Sequence, residues 1–111
     1  GTNWYDIFSL AGLGEAWVKK TAHYTALDGD NIFADTSAGV FTITLPAAPA
    51  LGAQVKIIDA EGTFGTNNLT VGRNSLKIMG SAADLTVSTN SAGIALVYND
   101  ADNGWRLKYN D

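Results

Sequence analysis

Apolar and polar side chains alternate regularly in the middle of this chain. In Phe41-Thr-Ile-Thr-Leu45 the apolar residues occupy every second position, which is the period of a strand with one buried face. Pro46 ends this strand because proline has no N–H group to donate to a neighbouring strand. After Gly52, which permits a tight turn, Gln54–Asp59 resumes the alternation.

The segment before this strand is rich in turn-forming residues. Asp35-Thr-Ser-Ala-Gly39 predicts a turn that brings Asn31–Ala34 back beside Phe41–Leu45. Because Gln54–Asp59 follows after another short connection, we predict a β-meander with Phe41–Pro49 at its centre.

Strand-like patterns continue on both sides. Ala16–Leu27 is predicted as one long or broken strand. The other predicted strands are Ile32–Asp35, Val40–Leu45, Ala53–Asp59, Leu69–Val71, Leu76–Met79 and Leu85–Ser88.

The C-terminal residues predict a hairpin. Ile94–Tyr98 and Trp105–Tyr109 flank a loop dense in Asp, Asn and Gly. Trp105 and Leu107 share one face of the second strand with Tyr109, and basic residues occupy the other face. Ile94–Tyr98 is apolar on both faces, which is typical of an interior strand. We therefore predict an all-β fold, a small antiparallel β-sandwich or partly closed barrel spanning residues 15–111.

Residues 1–14 differ from the rest and are predicted to be an N-terminal docking arm. Trp4, Ile7 and Phe8 have helical spacing, but Gly12 and Gly14 limit such a helix to about two turns, a length that is marginal alone in water. The arm either packs on its own domain or docks on a neighbouring subunit or larger assembly. Its predicted assembly contacts are Trp4, Ile7, Phe8 and Leu10.

Composition excludes several classes of function. The 111 residues suffice for one domain, and the chain has no cysteine and one histidine, which excludes thiolate chemistry and a multi-histidine metal site within one chain. A net charge of −4 argues against nucleic acid as a partner. No apolar run is long enough to span a membrane, and no signal peptide is visible.

Two clusters of carboxylates have two interpretations. Asp28 and Asp30 with Asn31, and Asp100 and Asp102 with Asn103, are either Ca²⁺ ligands or solvated turns. We prefer turns, because the second cluster is shorter than a helix-loop-helix calcium loop and lacks its distant Glu.

His23 is interpreted as a structural or interface residue. No nucleophile motif or second histidine accompanies it, so we predict no catalytic residue, no enzymatic activity, no metal and no cofactor.

Aromatic residues offer a further candidate surface. Trp17, Tyr98, Trp105 and Tyr109 would form a sugar-stacking platform if they shared one exposed face. We prefer the alternative that they are core or subunit contacts, because their alternation with basic residues in the hairpin turns them to the packed side.

The order and spacing of several motifs resemble a small β-module of bacteriophage virion proteins. These motifs are Tyr24-Thr-Ala26, Asp28-Gly-Asp30, Asp35–Gly39, Phe41–Pro46, Pro49, Gly52, Val55, Ile57, Asn67–Val71, Arg73-Asn74, Ile78, Leu96–Tyr98 and Trp105. The likeness covers roughly Trp17 to Tyr109 and leaves the arm outside. Such modules occur at the ends of tail fibres and tailspikes, and related domains decorate capsids.

The resemblance implies a non-enzymatic, usually trimeric protein at the virion surface. We expect a homotrimeric capsid decoration, or cementing, protein that binds other capsid proteins through its arm. The alternative is the receptor-binding tip of a tail fibre or tailspike that recognises host surface glycans. A chain that naturally begins near Gly1 would fit a stand-alone head-decoration protein better than a fibre. A glycan-processing enzyme is a distant third alternative.

Overall fold

The structure of this protein is a computed structural model that describes residues 16–109. Within that range the chain forms nine strands and no helix. In chain order they are β1 Val18–Lys20, β2 Tyr24–Thr25, β3 Asn31–Ala34, β4 Phe41–Thr44, β5 Gln54–Asp59, β6 Leu69–Gly72, β7 Leu85–Val87, β8 Gly93–Asp100 and β9 Gly104–Tyr109. The described residues thus include no helix that could cross a membrane.

The nine strands form two mixed sheets. A five-stranded sheet has the order β1-β3-β5-β8-β9, and a four-stranded sheet has the order β2-β4-β6-β7. From β1 to β6 successive strands alternate between the sheets, and neighbours within each sheet are parallel. The pairings of β7, β8 and β9 are antiparallel. The predicted small all-β fold is confirmed, with mixed rather than purely antiparallel sheets that do not close into a barrel.

The predicted meander around Phe41–Pro49 is wrong. Although β3 and β4 are consecutive, they belong to different sheets, and Ile43 of β4 pairs with Tyr24 on one side and Val71 on the other. Parallel neighbours require a long crossover, which here contains a strand of the opposite sheet. The predicted strand over Ala16–Leu27 likewise divides into β1 and β2, one in each sheet.

The hydrophobic core is built from the apolar positions of the alternating strands. Phe41, Ile43 and Leu45 are all buried, as their spacing predicts, and Val55 and Ile57 contribute to the same core from β5. Its other buried members are Ala26, Ile32, Ala34, Ala53, Phe64, Leu69, Val71, Ile78, Val87, Leu96 and Trp105. Each large apolar side chain buried in this way stabilises the fold by about 1.5–3 kcal/mol.

The predicted C-terminal hairpin is confirmed. Ile94–Tyr98 lies within β8, which is an interior strand between β5 and β9. Tyr98 pairs directly with Trp105, and a register shift follows between Tyr98 and Asp100 at the hairpin end.

Residues 76–79, predicted as a strand, form none; Ile78 makes isolated bridges to Ser81 and Trp105, and the segment lies along the free edge of β9. The N–H group of Trp105 donates to the Lys77 carbonyl (2.8 Å), and the N–H group of Met79 donates to the Trp105 carbonyl (2.7 Å). The N–H group of Leu107 donates to the Met79 Sδ atom at 3.2 Å. Because unpaired edge groups attract other strands, this segment protects part of β9 from further pairing.

Candidate functional site

The outward face of the five-stranded sheet carries side chains that the core does not use. On β5, Val55 and Ile57 are buried, whereas Lys56 and Ile58 are half-buried and point to the opposite face. Residues paired across neighbouring strands share a face, so the register extends this outer surface over the whole sheet.

One row of paired residues crosses four strands of the five-stranded sheet. Asn31 pairs with Lys56, Lys56 pairs with Ala95, and Ala95 pairs with Lys108. Trp17 immediately precedes β1 and completes the row at the other edge. Since neighbouring strands lie about 4.8 Å apart, the backbones of Lys56 and Lys108 are roughly 10 Å apart, with only the Ala95 methyl group between them.

The small side chain of Ala95 leaves a depression in the sheet, here called the outer cleft. Its volume is about 340 Å³. The residues that line it are Trp17, Gln54, Lys56, Ile58, Gly93, Ile94, Ala95 and Lys108. None of the carboxylates in residues 16–109 lines it.

Two contacts fix the aromatic wall of the outer cleft. The rings of Trp17 and Phe33 are 4.9 Å apart between centroids and tilted by 42°. The Asn31 side-chain amide donates to the carbonyl of Ala16 at 3.2 Å, which holds the chain just before Trp17 against β3. The indole ring is therefore positioned at the edge of the cleft before any ligand arrives.

The lysines on this face differ in whether their ammonium groups are paired with carboxylates. Lys19 is paired with Asp35 (3.8 Å) and Glu61 (3.3 Å) at the end of the sheet. Among the described residues, no ion pair or hydrogen bond engages the ammonium groups of Lys56 and Lys108. The outer cleft thus combines an aromatic wall, an apolar floor and two available positive charges.

Three of the turn carboxylates accept hydrogen bonds from neighbouring groups. Asp28 accepts the N–H of Gln54 (3.0 Å), and Asp100 accepts the N–H of Asn103 (2.7 Å). Asp30 accepts the N–H of Leu27 at 2.9 Å and the Tyr24 hydroxyl at 2.7 Å. The hydrogen bond to the carboxylate, together with burial and the nearby negative charge, raises the pKa of Tyr24.

These bonds favour the turn interpretation of both acidic clusters over calcium binding. In the described part of the chain, no group of three or more His, Cys, Asp or Glu side chains is arranged to hold a metal ion.

Asp59 is the one carboxylate that is buried among the described residues. It accepts backbone N–H groups from Thr63 (3.1 Å), Phe64 (3.0 Å) and Ser91 (2.9 Å). Burial alone would raise its pKa, but these donors outweigh that effect and hold the pKa of Asp59 below its ordinary value. Its role is to anchor two loops, which sequence patterns did not indicate.

His23 is exposed, and its Nδ1 atom accepts the backbone N–H of Thr42 at 3.0 Å. It thus lies against the start of β4 and supplies an acceptor to the edge of a strand. This placement agrees with a structural role for the side chain.

The four candidate platform aromatics do not share one surface. Trp105 is fully buried, with its ring 5.3 Å from that of Tyr98 in an edge-on arrangement. Trp17 lies on the outer face of the five-stranded sheet. Tyr109 ends β9, and its side chain lies outside the described atoms. Of the four, Trp17 is the one placed beside a cleft that also contains free charges.

A second depression lies at the open edge between the sheets and is here called the apolar seam. It has a volume of about 340 Å³. Its apolar lining residues are Leu85, Val87, Ala92, Ile94 and Leu107, and Thr86, Ser88, Thr89 and Gly93 line the rest. The five-stranded sheet has one strand more than the other sheet, and β9 is one of the two edge strands of the five-stranded sheet. Leu85, Ile94 and Leu107 are consequently only partly buried.

Sequence patterns missed the outer cleft because its members are distant along the chain. Lys56 and Lys108 each alternate with apolar residues, so their outward direction was predictable. Their alignment on either side of Ala95 depends on the strand register. A usable signal was that most of the cations occur inside strand segments, whereas most of the carboxylates lie in the connections or at strand ends.

The predicted assembly contacts Trp4, Ile7, Phe8 and Leu10 lie outside the described residues. Comparison with protein-family models and with curated proteins finds no match for this chain.

Proposed function

We propose that this chain is a non-enzymatic surface protein of a bacteriophage virion, and that its β-domain assembles as a homotrimer that decorates and cements the capsid. Two independent observations support this proposal. The resemblance of the motifs between Trp17 and Tyr109 to phage virion modules implies the virion surface and the trimer. The apolar seam supports association with another subunit.

The apolar seam is the observation that carries the proposal. Its half-buried side chains lie beside the edge strands β7 and β9, where the core is not fully covered. Covering such a surface with a second subunit stabilises the assembly by about 25 cal/mol per Å² of apolar area removed from water. The low content of charged residues, 16%, suits a chain that buries much of its surface in this way.

The arm completes the decoration role in this proposal. Three copies of residues 1–14 would bind the capsid or neighbouring subunits at once, and the later contacts would form at high effective concentration. The trimer would therefore remain attached although each arm alone binds weakly.

The test of self-association targets Leu107, which is half-buried in the seam. The wild-type protein is expected to be a trimer by native mass spectrometry, and Leu107→Glu is expected to be a folded monomer by circular dichroism. Val40→Glu is the matched control because Val40 is exposed and lies outside the seam. A wild-type protein that is monomeric at micromolar concentration would contradict the proposal.

The location of the protein is tested on particles. Purified protein should bind phage heads stripped of their surface proteins and appear there by electron microscopy at local symmetry axes. Density confined to tail fibres would contradict the decoration role and favour the second candidate.

That second candidate is a receptor-binding tip that recognises host surface glycans. The outer cleft favours it, because an aromatic wall beside polar and charged groups suits a sugar ring. A host-glycan array distinguishes the two roles, since binding to a cell-surface glycan is expected of the tip and not of a cementing protein.

A further inference from the structure

Four of the seven Lys and Arg residues of this chain lie on one face of the five-stranded sheet. Although the chain carries a net charge of −4, the outer face of the five-stranded sheet carries Lys19, Lys56, Arg106 and Lys108. In residues 16–109, the carboxylates lie in loops or at strand ends. Because Lys19 is paired with Asp35 and Glu61, the local attraction of this face for anions comes from Lys56, Arg106 and Lys108. Asp28 and Asp30 line a neighbouring depression together with Lys56, without an ion pair to it.

The two lysines of the outer cleft are the strongest part of that attraction. They stand on either side of Ala95, roughly 10 Å apart at the backbone, and neither is engaged by a described carboxylate. Lys56 is half-buried, so water screens its charge less than at a fully exposed site. The cleft therefore places two ammonium groups where one small anionic ligand can contact both.

The remaining lining groups indicate what else the ligand carries. Trp17 offers a half-buried ring already held by Phe33, and Ile58 adds an apolar surface beside it. Gln54 supplies an amide that can both donate and accept hydrogen bonds. A sugar unit matches this set, because it has an apolar C–H face for the indole and hydroxyl groups for the amide.

We propose that the outer cleft binds an acidic saccharide, a sugar carrying a carboxylate, sulfate or phosphate group held between Lys56 and Lys108 and stacked against Trp17. The inference rests on the second candidate function, glycan recognition, and names the class of glycan. At about 340 Å³ the cleft falls in the lower range of small-ligand pockets, which suits one or two sugar units better than an extended polypeptide.

A polypeptide segment that is both acidic and apolar would compete for this cleft. Residues 1–15 of this chain are one such segment. They contain Asp6 and Glu15, no Lys or Arg, and several large apolar residues. A synthetic peptide of this sequence is therefore included in the test as a competitor.

The experiment is calorimetric titration of the full chain at low salt. The probes are a galacturonic acid trisaccharide, a sulfated galactose trisaccharide and the uncharged galactose trisaccharide, with inorganic phosphate as the free anion. At least one acidic trisaccharide is expected to bind at least ten-fold more tightly than the uncharged one and more tightly than phosphate. Its affinity should fall as salt is raised, because salt screens partly exposed charges.

Variants locate the binding. Lys56→Gln and Lys108→Gln should each weaken binding about ten-fold, which is typical for losing one charge-assisted hydrogen bond. Lys77→Gln makes the same change of net charge away from the cleft and should bind as wild type. Residue 95 faces outward from the sheet, so Ala95→Glu places a carboxylate between the two lysines. This variant should abolish sugar binding while the domain stays folded.

Three results would overturn the inference. They are equal binding of the acidic and uncharged sugars, unchanged binding by Ala95→Glu, and displacement of the sugar by a tighter-binding peptide of residues 1–15. The last would make the cleft a docking site for the chain's own arm. Trimer formation and head binding of the same variants are measured in parallel, so that failure of sugar binding is distinguished from failure of the virion role.

Discussion

Gly104 and Lys77 approach so closely that no side chain fits between them. A Cβ atom on Gly104 would overlap the Lys77 carbonyl group and lie 2.8 Å from the Lys77 Cα atom. Gly104 also has a φ of 70°, in the left-handed region that favours glycine. The loop that covers the edge of β9 therefore requires glycine as the first residue of that strand.

Gly104→Ala is expected to destabilise the domain strongly because backbone atoms of Lys77 must move. Gly80→Ala is the matched control, since Gly80 has a φ of 77° but open space where a Cβ atom would lie. Thermal unfolding should show that Gly104→Ala costs at least about 2 kcal/mol more than Gly80→Ala, the usual scale of overpacking. Equal losses would mean that only the backbone angle matters at Gly104.

Trp105 is expected to stabilise the core rather than bind a ligand. Trp105→Ala should cost about 3–5 kcal/mol because the ring is fully buried. Trp105→Phe should cost clearly less, since it keeps most of the packing and removes an Nε1 donor that is buried without a described partner. Urea denaturation measures both. A Trp105→Ala protein with wild-type stability that has lost glycan or cell binding would instead make Trp105 a ligand platform.

Asp59 is expected to make the domain sensitive to acid. Its pKa is lowered in the folded state, so its contribution is fully present above its ordinary pKa of 3.8 and is lost as the pH falls through the lowered value. At pH 7, Asp59→Asn should lower the free energy of unfolding by at least about 2 kcal/mol. The reason is that a neutral amide replaces the carboxylate that accepts three backbone N–H groups.

The check is denaturant unfolding at pH 7, 4 and 3. The stability difference between wild type and Asp59→Asn should shrink as the pH falls. Asp102→Asn, in an exposed turn, serves as the control and should leave stability unchanged at each pH. A difference that stays constant down to pH 3 would rule out the charge of Asp59 as the cause.

Removal of divalent cations is expected to have no effect on stability. The carboxylates of Asp28, Asp30 and Asp100 already accept hydrogen bonds from backbone N–H groups. The melting temperature should therefore be the same with EDTA and with added Ca²⁺. A loss of several degrees in EDTA that Ca²⁺ restores would assign a metal site to Asp100 and Asp102.

Deletion of residues 1–14 is expected to leave the β-domain folded but to prevent its attachment to phage heads. The truncated protein should keep its β-sheet circular dichroism and melting transition, because the core named above lies within residues 26–105. It should no longer bind phage heads stripped of surface proteins, since the proposal assigns that contact to Trp4, Ile7, Phe8 and Leu10. Wild-type occupancy on the heads would assign attachment to the β-domain, and failure to fold would place the arm in the core.

The sequence alone determined most of the strands and, where apolar and polar residues alternate, which side of the strand is buried. The alternation of Phe41, Ile43 and Leu45 predicted a strand with those three side chains in the core, and all three are buried. The hairpin of β8 and β9 was equally predictable, because both strands are adjacent in sequence and joined by a loop of turn-forming residues.

Only the tertiary structure decided which strands are neighbours. The two-residue period indicates which way a side chain points but not which strand lies alongside. For this reason β3 was predicted beside β4, although it pairs with β1 and β5. Parallel pairing between residues as distant as Ile43 and Val71 leaves no local signal, because its hydrogen bonds join segments separated by a whole strand of the other sheet. The outer cleft depends on the same long-range register, which sets Lys56 and Lys108 on either side of Ala95.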